Sequence, residues 1–414
     1  MQSTLILTAA LLTALAVLLR PFRLPEYVFA VTGAAVAVVL GGYGVPEALR
    51  AVRGGIDVYL FLIGMMLLAE VARQEGLFAY VAAQATRRAR GSAQRLFLIL
   101  YGVGVLVTVF LSNDATAVVL TPAVYATARA ARVEPLPYLF ACAFIANAAS
   151  FVLPISNPAN LVIYASEMPP LTQWLGMFLL PSLAAIGATY LMLRILFRRA
   201  LAAGQPVAIT VPDLSRSGKA AAWGLTLTGV LLTLASAAGL PLGPITLAAA
   251  ACVMLWVTVL TRQSPLSLLR HVSWGVVPLV AGLFVLVEAV FATGLPDHAV
   301  TALHRWAQLA PESAALGVGG LFALVSNAIN NLPVGLIAAT AARAGDLPPD
   351  VIGAMLIGVD LGPNLSVTGS LATILWLVVL RREGVHVSAW QFFKIGLCVM
   401  PPALVLALAA FVLV

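Results

Sequence analysis

A single aspartate in the middle of a long apolar stretch constrains the fold more than any other feature of the sequence. Between residues 96 and 128 the only charged residue is Asp114, which follows Ser112 and Asn113. An ionisable side chain in such a setting costs several kcal/mol unless it is paired or faces water. A related stretch, 325–333, begins Val-Ser-Asn and ends Asn-Asn-Leu-Pro, also between apolar flanks. We therefore expect both stretches to be functional and the rest of the chain to form a frame around them.

Composition excludes a water-soluble fold. Of the 414 residues, 62% are hydrophobic and only 9% are charged, whereas soluble domains carry about 25% charged residues. The net charge of +7 is attributed to short basic loops and not to nucleic-acid binding. We predict an all-α polytopic membrane protein with about ten transmembrane spans of ~20 residues and two re-entrant helical hairpins.

Apolar runs separated by polar or basic residues predict where the spans lie. Unbroken spans are expected at 4–19, 26–42, 56–72, 171–197, 220–238, 242–260, 273–293 and 388–413. Polar residues and prolines interrupt four further runs, at 96–128, 137–166, 313–342 and 351–380. Non-helical backbone at membrane depth is tolerated only where it is buried in protein or lines water, so each interruption predicts a broken helix or a hairpin tip.

The basic residues predict how the chain is oriented. Arginines precede and follow the stretch 96–128, and cytoplasmic loops of membrane proteins are enriched in Lys and Arg. Both ends of this stretch then lie inside, so the chain enters the membrane and turns back near Ser112. The same rule places nineteen of the 23 basic residues inside, Arg20 and Arg23 among them, and leaves Arg343 outside. It places both termini outside.

The two halves of the chain carry matching features in the same order. Gly64 and Glu70 are followed 218 residues later by Gly282 and Glu288, and the Ser-Asn pairs of the two hairpin stretches recur at an offset of 214. Inverted repeats with paired broken helices are typical of secondary transporters, whose sites lie near the membrane midplane between the breaks. The predicted divisions are an N-terminal half, 1–197, a cytoplasmic linker, 198–219, and a C-terminal half, 220–414.

Side chains that donate or accept hydrogen bonds gather at the four breaks. Each break frees backbone groups and directs half-helix ends at a common cavity. The predicted substrate-binding residues are Asn113, Thr116, Asn157, Asn160, Asn327, Asn330, Asn331, Thr368 and Ser370. Neither Lys nor Arg occurs at the breaks. That lining favours a small neutral solute with several hydroxyls over a carboxylate or a phosphate.

Two aspartates at the breaks, Asp114 and Asp360, are predicted to couple transport to protons. Removal from water disfavours the charged form of a carboxyl group and so favours proton uptake. Asp114 is preferred as the proton carrier because of its place at a hairpin tip. A structural alternative is that Asp114 caps the helical arm that begins at Ala115, which is compatible with proton carriage.

The other ionisable residues point to structure and not to chemistry. Glu70 is expected to pair with Arg73 one helical turn away, and Glu288 to face external water. The three cysteines lie singly in apolar segments and are interpreted as small core residues, not as a thiolate site for a soft metalloid. The four histidines, His298 among them, lack metal-ligand spacing, and no phosphate-binding motif occurs. We therefore expect no metal, no cofactor and no enzymatic activity.

Four blocks, Phe110–Ala117, Asn327–Pro333, Gly358–Asn364 and Gly369–Trp376, carry a resemblance that extends over nearly the whole chain. They resemble ArsB-type arsenite/antimonite efflux permeases of the ion-transporter superfamily. The resemblance implies export of As(OH)3 and Sb(OH)3 across the bacterial cytoplasmic (inner) membrane in exchange for protons. It also implies an ArsA-type ATPase as a potential partner, and the scaffold is a candidate for homodimerisation.

Two other functions remain open on the sequence. A Na+/H+ antiporter of the same superfamily would use the aspartates and the exposed carbonyls as hard oxygen ligands. A passive solute channel is disfavoured by the paired breaks and the buried carboxylates. A sodium/dicarboxylate symporter is disfavoured by Asp114 at the site.

Overall fold

The structure, a computed structural model, describes residues 2–19, 24–164, 168–207, 210–211, 213–294, 296–345 and 347–414. In residues 18–19, 296–300, 311–312 and 343–345 it describes the helical backbone without the side chains. Arg20 and Arg23 lie outside the described residues, as do the side chains of His298 and Arg343. All regular elements in the described part of the chain are helical, which confirms the predicted all-α class.

The first half contains twelve helices, numbered here in chain order. They are α1 (Gln2–Leu19), α2 (Glu26–Val39), α3 (Val45–Gly54), α4 (Ile56–Gln74), α5 (Leu77–Ala89), α6 (Ala93–Phe110), α7 (Asn113–Ala115), α8 (Thr121–Ala130), α9 (Leu136–Ala148), α10 (Pro158–Ile163), α11 (Leu171–Leu196) and α12 (Arg198–Ala203). A π-helical turn, Thr116–Leu120, makes α7 and α8 one continuous arm, and a 3-10 turn, Pro154–Ser156, lies between α9 and α10.

The second half repeats this series in outline. Its helices are α13 (Arg216–Ala237), α14 (Leu242–Thr261), α15 (Pro265–Leu269), α16 (Val276–Phe291), α17 (Pro296–Leu309), α18 (Pro311–Ile329), α19 (Asn331–Gly345), α20 (Pro349–Leu361), α21 (Leu371–Arg382) and α22 (Ala389–Val412). A 3-10 turn, Gly362–Leu365, lies between α20 and α21.

The apolar runs and their caps determine where these helices begin and end. Ser92, Ser215 and Ser388 each accept a hydrogen bond from a backbone N–H in the first turn of the helix that follows, as N-cap residues do. The predicted segment ends lie within four residues of the observed helix ends throughout. Helices α3, α5 and α17 correspond to no predicted span, because their charged residues interrupt the apolar run that a span requires.

Length and apolar composition alone identify fewer spans than expected. Within the described residues five single helices are long and apolar enough to cross a membrane, namely α6, α11, α13, α14 and α22. A sixth candidate is the pair α3–α4, which is bent by 47°. The halves of the broken helices are too short to cross alone. The number of about ten spans therefore stays a prediction.

The two halves interleave. Helix α4 packs against α14, and α2 packs against α16, so each half contributes a long helix to the other half's frame. At the centre, α11 packs against α22 and α18 against α20. The order of elements supports the predicted repeat, since each half presents a long helix ending near a glutamate, a short helix, a hairpin, a broken helix and a final long helix. The exact division of the chain stays a prediction.

The predicted linker is partly folded. Helix α12 forms at its start and buries Leu201 against the neighbouring helices α6 and α11. Helix α13 begins at Arg216, inside the predicted linker. The buried Leu201 explains why this part of a mostly polar segment packs against the helices and does not extend into water.

Candidate functional site

The first hairpin reverses the chain at Ser112. The Oγ atoms of Thr108 and Thr116 lie 2.8 Å apart, whereas eight residues of continuous helix would advance the chain by about 12 Å. Ser112 supplies the N-cap of the second arm, since its Oγ accepts a hydrogen bond from the backbone N–H of Ala115 at 3.2 Å. The structural alternative, that Asp114 caps this arm, is wrong, because the serine two residues earlier occupies the capping position.

Asp114 lies partly exposed to an internal cavity. The cavity has a volume of about 90 Å³ and lies between the first hairpin, α4 and the start of α16. The backbone N–H of Asp114 donates to Oδ1 of Asn113 at 2.9 Å. Among the described residues no side chain forms a hydrogen bond or an ion pair with its carboxylate. The hairpin tip therefore presents a carboxylate to a small internal space.

Glu70 and His271 line the same cavity. Glu70 accepts two hydrogen bonds from Arg73, at 2.6 and 2.8 Å, and one from Gln74 at 2.8 Å. This confirms the predicted pair of Glu70 with Arg73. The nearest imidazole atom, Nδ1 of His271, lies 3.9 Å from Glu70 Oε1.

The second hairpin turns at Asn330, whose backbone has φ +77° and ψ 149°. This conformation is nearly restricted to glycine and costs about 1–3 kcal/mol elsewhere. Asn330 offsets part of that cost locally, because its Oδ1 accepts from the N–H of Leu332 at 3.3 Å and its Nδ2 donates to the carbonyl of Thr368 at 3.3 Å. The N–H of Asn331 donates to the carbonyl of Gly369 at 2.8 Å. The tip is thereby attached to the break between α20 and α21.

Asn327 makes the most connections at this attachment. Its Nδ2 donates to the carbonyl of Gly362 at 2.9 Å and its Oδ1 accepts from Ser366 at 2.7 Å. The hydroxyl of Thr368 donates to the backbone carbonyl of Asn327 at 3.0 Å. We call Asn327, Asn330, Ser366 and Thr368 the hairpin clasp. Three of its members are predicted substrate-binding residues, and here they join the second hairpin to its broken helix.

Asp360 lies at the centre of the second group of predicted residues. It is fully buried at the end of α20. Its Oδ2 lies 2.7 Å from the hydroxyl oxygen of Ser150, and its Oδ1 accepts from Nδ2 of Asn157 at 2.7 Å. The orientation of the Asn157 amide follows from its other contact, because its Oδ1 accepts from the N–H of Ala159 at 3.0 Å. Asn157 therefore donates to Asp360 while it caps α10.

The hydroxyl of Ser150 has two oxygen neighbours but one proton. It lies 2.7 Å from Asp360 Oδ2 and 2.7 Å from the carbonyl of Asn147. A hydroxyl group donates one hydrogen bond. Both contacts are satisfied when Asp360 carries a proton and donates to Ser150, which then donates to Asn147. These contacts are thus compatible with a protonated carboxyl group.

Two asparagines of this centre, Asn147 and Asn364, are absent from the predicted site. Nδ2 of Asn147 donates to Oδ1 of Asn364 at 3.0 Å, and Nδ2 of Asn364 donates to the carbonyl of Phe144 at 3.0 Å. A signal for Asn147 exists in the sequence. It precedes the last residue of α9, as Asp360 precedes the last residue of α20. We call Asn147, Ser150, Asn157, Asp360 and Asn364 the central cluster.

Two amide oxygens near the central cluster have no partner in the described part of the chain. They are Oδ1 of Asn147 and Oδ1 of Asn160, both in fully buried side chains. Nδ2 of Asn160 donates to the carbonyl of Ser150 at 2.8 Å. Buried polar atoms are nearly always hydrogen-bonded in proteins, so these two acceptors are candidates for a ligand or a water.

The structure brings some of the predicted residues together and separates others. Ser370 caps α21 and bonds to Thr373, which lies 3.5 Å from Nδ2 of Asn147 at the edge of the central cluster. Among the described residues, Asn113 and Thr116 form side-chain hydrogen bonds only within the first hairpin. Ser156 links that hairpin to the first broken helix by donating to the carbonyl of Val109 at 3.0 Å. In the described residues no Lys, Arg or His hydrogen-bonds to the central cluster or to the clasp.

The three cysteines differ in their exposure. Cys142 is buried, as expected, but Cys252 and Cys398 are exposed on the helix surface, so the core interpretation was wrong for these two. Their apolar surroundings in sequence reflect a surface that faces lipid and not a protein core.

The chain is similar to proteins of known families. The model of the CitMHS family, described as citrate transporter, matches residues 5–358. An arsenical pump membrane protein of Yersinia enterocolitica is 30% identical over 370 residues, 85% of either chain. One of Escherichia coli K12 is 29% identical over 409 residues, 93% of this chain and 92% of the relative.

One solved structure shows the same fold. The YdaH transporter of Alcanivorax borkumensis, described as having an unusual topology, superposes with a TM-score of 0.56 and 17% sequence identity. The match covers 90% of this chain and 88% of the other. At that identity the likeness concerns the fold alone.

Proposed function

The chain belongs to the CitMHS family and is similar over most of its length to arsenical pump membrane proteins, and from this premise we propose that it exports arsenite and antimonite in exchange for protons. It is a multi-pass membrane protein. The proposed location is the bacterial cytoplasmic membrane with both termini outside, as the distribution of basic residues predicts.

The neutral donors and acceptors at the centre support a neutral substrate. The breaks present amides, hydroxyls and backbone groups, and these suit As(OH)3 and Sb(OH)3, which carry three hydroxyls. The unpartnered oxygens of Asn147 and Asn160 can accept hydrogen bonds from such hydroxyls. Binding through nitrogen and oxygen groups is weaker for a soft metalloid than binding through thiolates, and this favours release.

The surroundings of Asp360 carry the proposal of proton coupling. A buried carboxylate without a cationic partner is expensive, and here the described partners are a hydroxyl and an amide. A proton on Asp360 removes that cost and satisfies Ser150. Asp114 is the second candidate, since it faces a cavity that can exchange protons with water. We propose that protonation and solute binding exclude each other at this centre.

A transport cycle follows from these groups. The two hairpins and the two broken helices form the moving unit, and the remaining helices form the scaffold, which we propose as the homodimer interface. Solute binds from inside at Asn113, the hairpin clasp and Asn157–Asn160. The unit shifts, an external proton displaces the solute, and the protonated unit returns. An ArsA-type ATPase remains a potential partner.

A Na+/H+ antiporter is the second candidate, and one observation favours it. The unpartnered Oδ1 atoms of Asn147 and Asn160 are oxygen ligands of the kind that hard cations prefer. Citrate, the substrate in the family description, is less compatible with the centre. A tricarboxylate needs cationic partners, whereas the described hydrogen-bonding groups here are neutral apart from the aspartates.

Transport into everted membrane vesicles tests the proposal. Arsenite uptake driven by an imposed acid interior, without ATP, should be abolished by a protonophore and unchanged when Na+ is removed. Proton efflux triggered by Na+ without arsenite uptake would establish the antiporter instead. Arsenite uptake that follows its own gradient and ignores the proton gradient would indicate a passive channel.

A further inference from the structure

Three titratable side chains, Asp114, Glu70 and His271, line the same cavity, and the proposed transport cycle gives the last two no role. This cavity has a volume of about 90 Å³. Helices α10, α16 and α21 contribute only uncharged residues to its wall. The volume has room for several water molecules, and the polar side chains in its wall can hydrogen-bond to them.

Glu70 and His271 differ in what they can do. Glu70 is 7% exposed, and its carboxyl group is held in place by Arg73 and Gln74. The His271 side chain is 59% exposed. Its Nδ1 lies 2.7 Å from the carbonyl of Ser267, which can only accept, so Nδ1 carries the hydrogen and Nε2 is the nitrogen that takes up a proton.

The geometry therefore places a proton acceptor, His271, next to the carboxyl group of Glu70 in the wall of the cavity. The charged groups around them are Arg73, bonded to Glu70, and Arg270, adjacent to His271 in sequence. Nδ1 of His271 lies 3.9 Å from Oε1 of Glu70. Histidine is the side chain that most readily gains and loses a proton between pH 5 and 8.

We propose that Glu70 and His271 form the cytoplasmic proton-exchange site of the transporter, connected to Asp114 through water in this cavity. The O–H bond of the protonated Asp114 breaks, a proton passes along the water, an N–H bond forms at Nε2 of His271, and the imidazolium then releases the proton to the cytoplasm. Glu70 acts as a positioning residue that stabilises the imidazolium. This inference rests on the proposed proton coupling.

The other half of the chain provides a matched control. Glu288 occupies the position equivalent to Glu70 and lines a cavity of about 400 Å³ together with Tyr43, Glu47 and Arg50. The residue equivalent to Asp114 at the second hairpin is Ala328, so that cavity has no hairpin aspartate. The proposed exchange site therefore exists in one half only.

The test measures arsenite uptake into everted vesicles, whose outer medium is the cytoplasmic side, for wild type, His271→Gln, Glu70→Gln and Glu288→Gln. We expect His271→Gln to slow proton-driven uptake roughly tenfold or more, since positioned proton-transfer groups contribute at least that much. Glu70→Gln should slow it less, and Glu288→Gln should leave it unchanged. Imidazole in the outer medium should restore the uptake rate of the His271→Gln variant. Each rate is divided by the wild-type rate at the same imidazole concentration, which corrects for any loss of the proton gradient that imidazole causes.

The outcomes distinguish failure of the proposed exchange site from failure of the proposed function. Wild-type rates in both His271→Gln and Glu70→Gln at every outer pH would overturn the inference while leaving the proposed function intact. A slow His271→Gln variant that imidazole does not restore would also overturn it, because the histidine would then act on structure alone. Wild-type uptake that ignores the proton gradient would overturn the proposed function, and the exchange site with it.

Discussion

The amide of Asn157 donates a hydrogen bond of 2.7 Å to the carboxyl group of Asp360, and this bond joins residues 203 positions apart in the sequence. Asn157 caps the second half of one broken helix, and Asp360 ends the first half of the other. The two breaks are thus connected at the point where a charge would be most costly. A change in the protonation of Asp360 therefore acts on both broken helices at once.

Asp360→Asn should abolish proton-driven arsenite uptake while the protein still folds. The carboxamide keeps the size of the side chain and can donate to Ser150, but it cannot exchange a proton. Uptake into everted vesicles and the yield of folded protein in detergent check this. Asp350→Asn, at the exposed start of the same helix, is the control and should transport normally. Substantial uptake by Asp360→Asn would remove this residue from the coupling mechanism.

Asp114→Asn should also abolish proton-driven uptake, with little effect on thermal stability. The carboxylate has no hydrogen-bonding partner among the described residues, so the substitution leaves no donor unsatisfied. Ser112→Ala should behave in the opposite way, since losing the N-cap costs about 1 kcal/mol but removes no titratable group. Melting temperatures and uptake rates of both variants check this contrast. Full uptake by Asp114→Asn would exclude it as a carrier.

Gly362→Ala should prevent folding or abolish transport, whereas Gly320→Ala should be tolerated. A Cβ at Gly362 would lie 2.3 Å from the carbonyl oxygen of Ala323, a backbone atom that can move only if α18 moves. A Cβ at Gly320 meets nothing within 4 Å. Expression level and melting temperature measure the difference. Equal stability of the two variants would contradict the close packing of the second hairpin against its broken helix.

The strained turn at Asn330 gives a fourth prediction. Asn330→Ala and Asn330→Gly both lose the side-chain bonds to Leu332 and Thr368, but only glycine relieves the backbone strain. The glycine variant should therefore be more stable than the alanine variant, by about 1–3 kcal/mol. Chemical or thermal unfolding in detergent measures this difference. Equal stabilities would show that the turn is not strained.

Much of the fold follows from the sequence because the membrane simplifies the problem. Apolar length and interruptions predict the spans and the four breaks, and Ser112 and Asn330 confirm that the chain reverses where polar residues interrupt an apolar run. Apolar length does not predict the amphipathic helix α3, because its arginines interrupt the apolar pattern. The exposure of Cys252 was not predicted for another reason, because apolar neighbours in the sequence do not show whether a side chain faces lipid or the protein core.

The sequence predicts which polar residues lie at the breaks, but not which partners their side chains contact. The polar residues at the breaks are visible in the sequence, yet the bond from Asn157 to Asp360 depends on how two distant segments meet. Asn147 lies within an apolar helical run, so it is not recognised as a site residue until the two broken helices are aligned. The cap at Ser112 was missed because Asp and Ser are both good N-cap residues and the sequence does not choose between them.

Proton movement driven by arsenite is the most direct test of the central claim, that solute and proton exchange at the central cluster. Purified protein is placed in liposomes loaded with arsenite and an entrapped pH indicator, without an initial pH gradient. As arsenite leaves, wild-type liposomes should acidify inside whether or not Na+ is present, and Asp360→Asn liposomes should not. Arsenite efflux from wild-type liposomes without any change in internal pH would contradict the account.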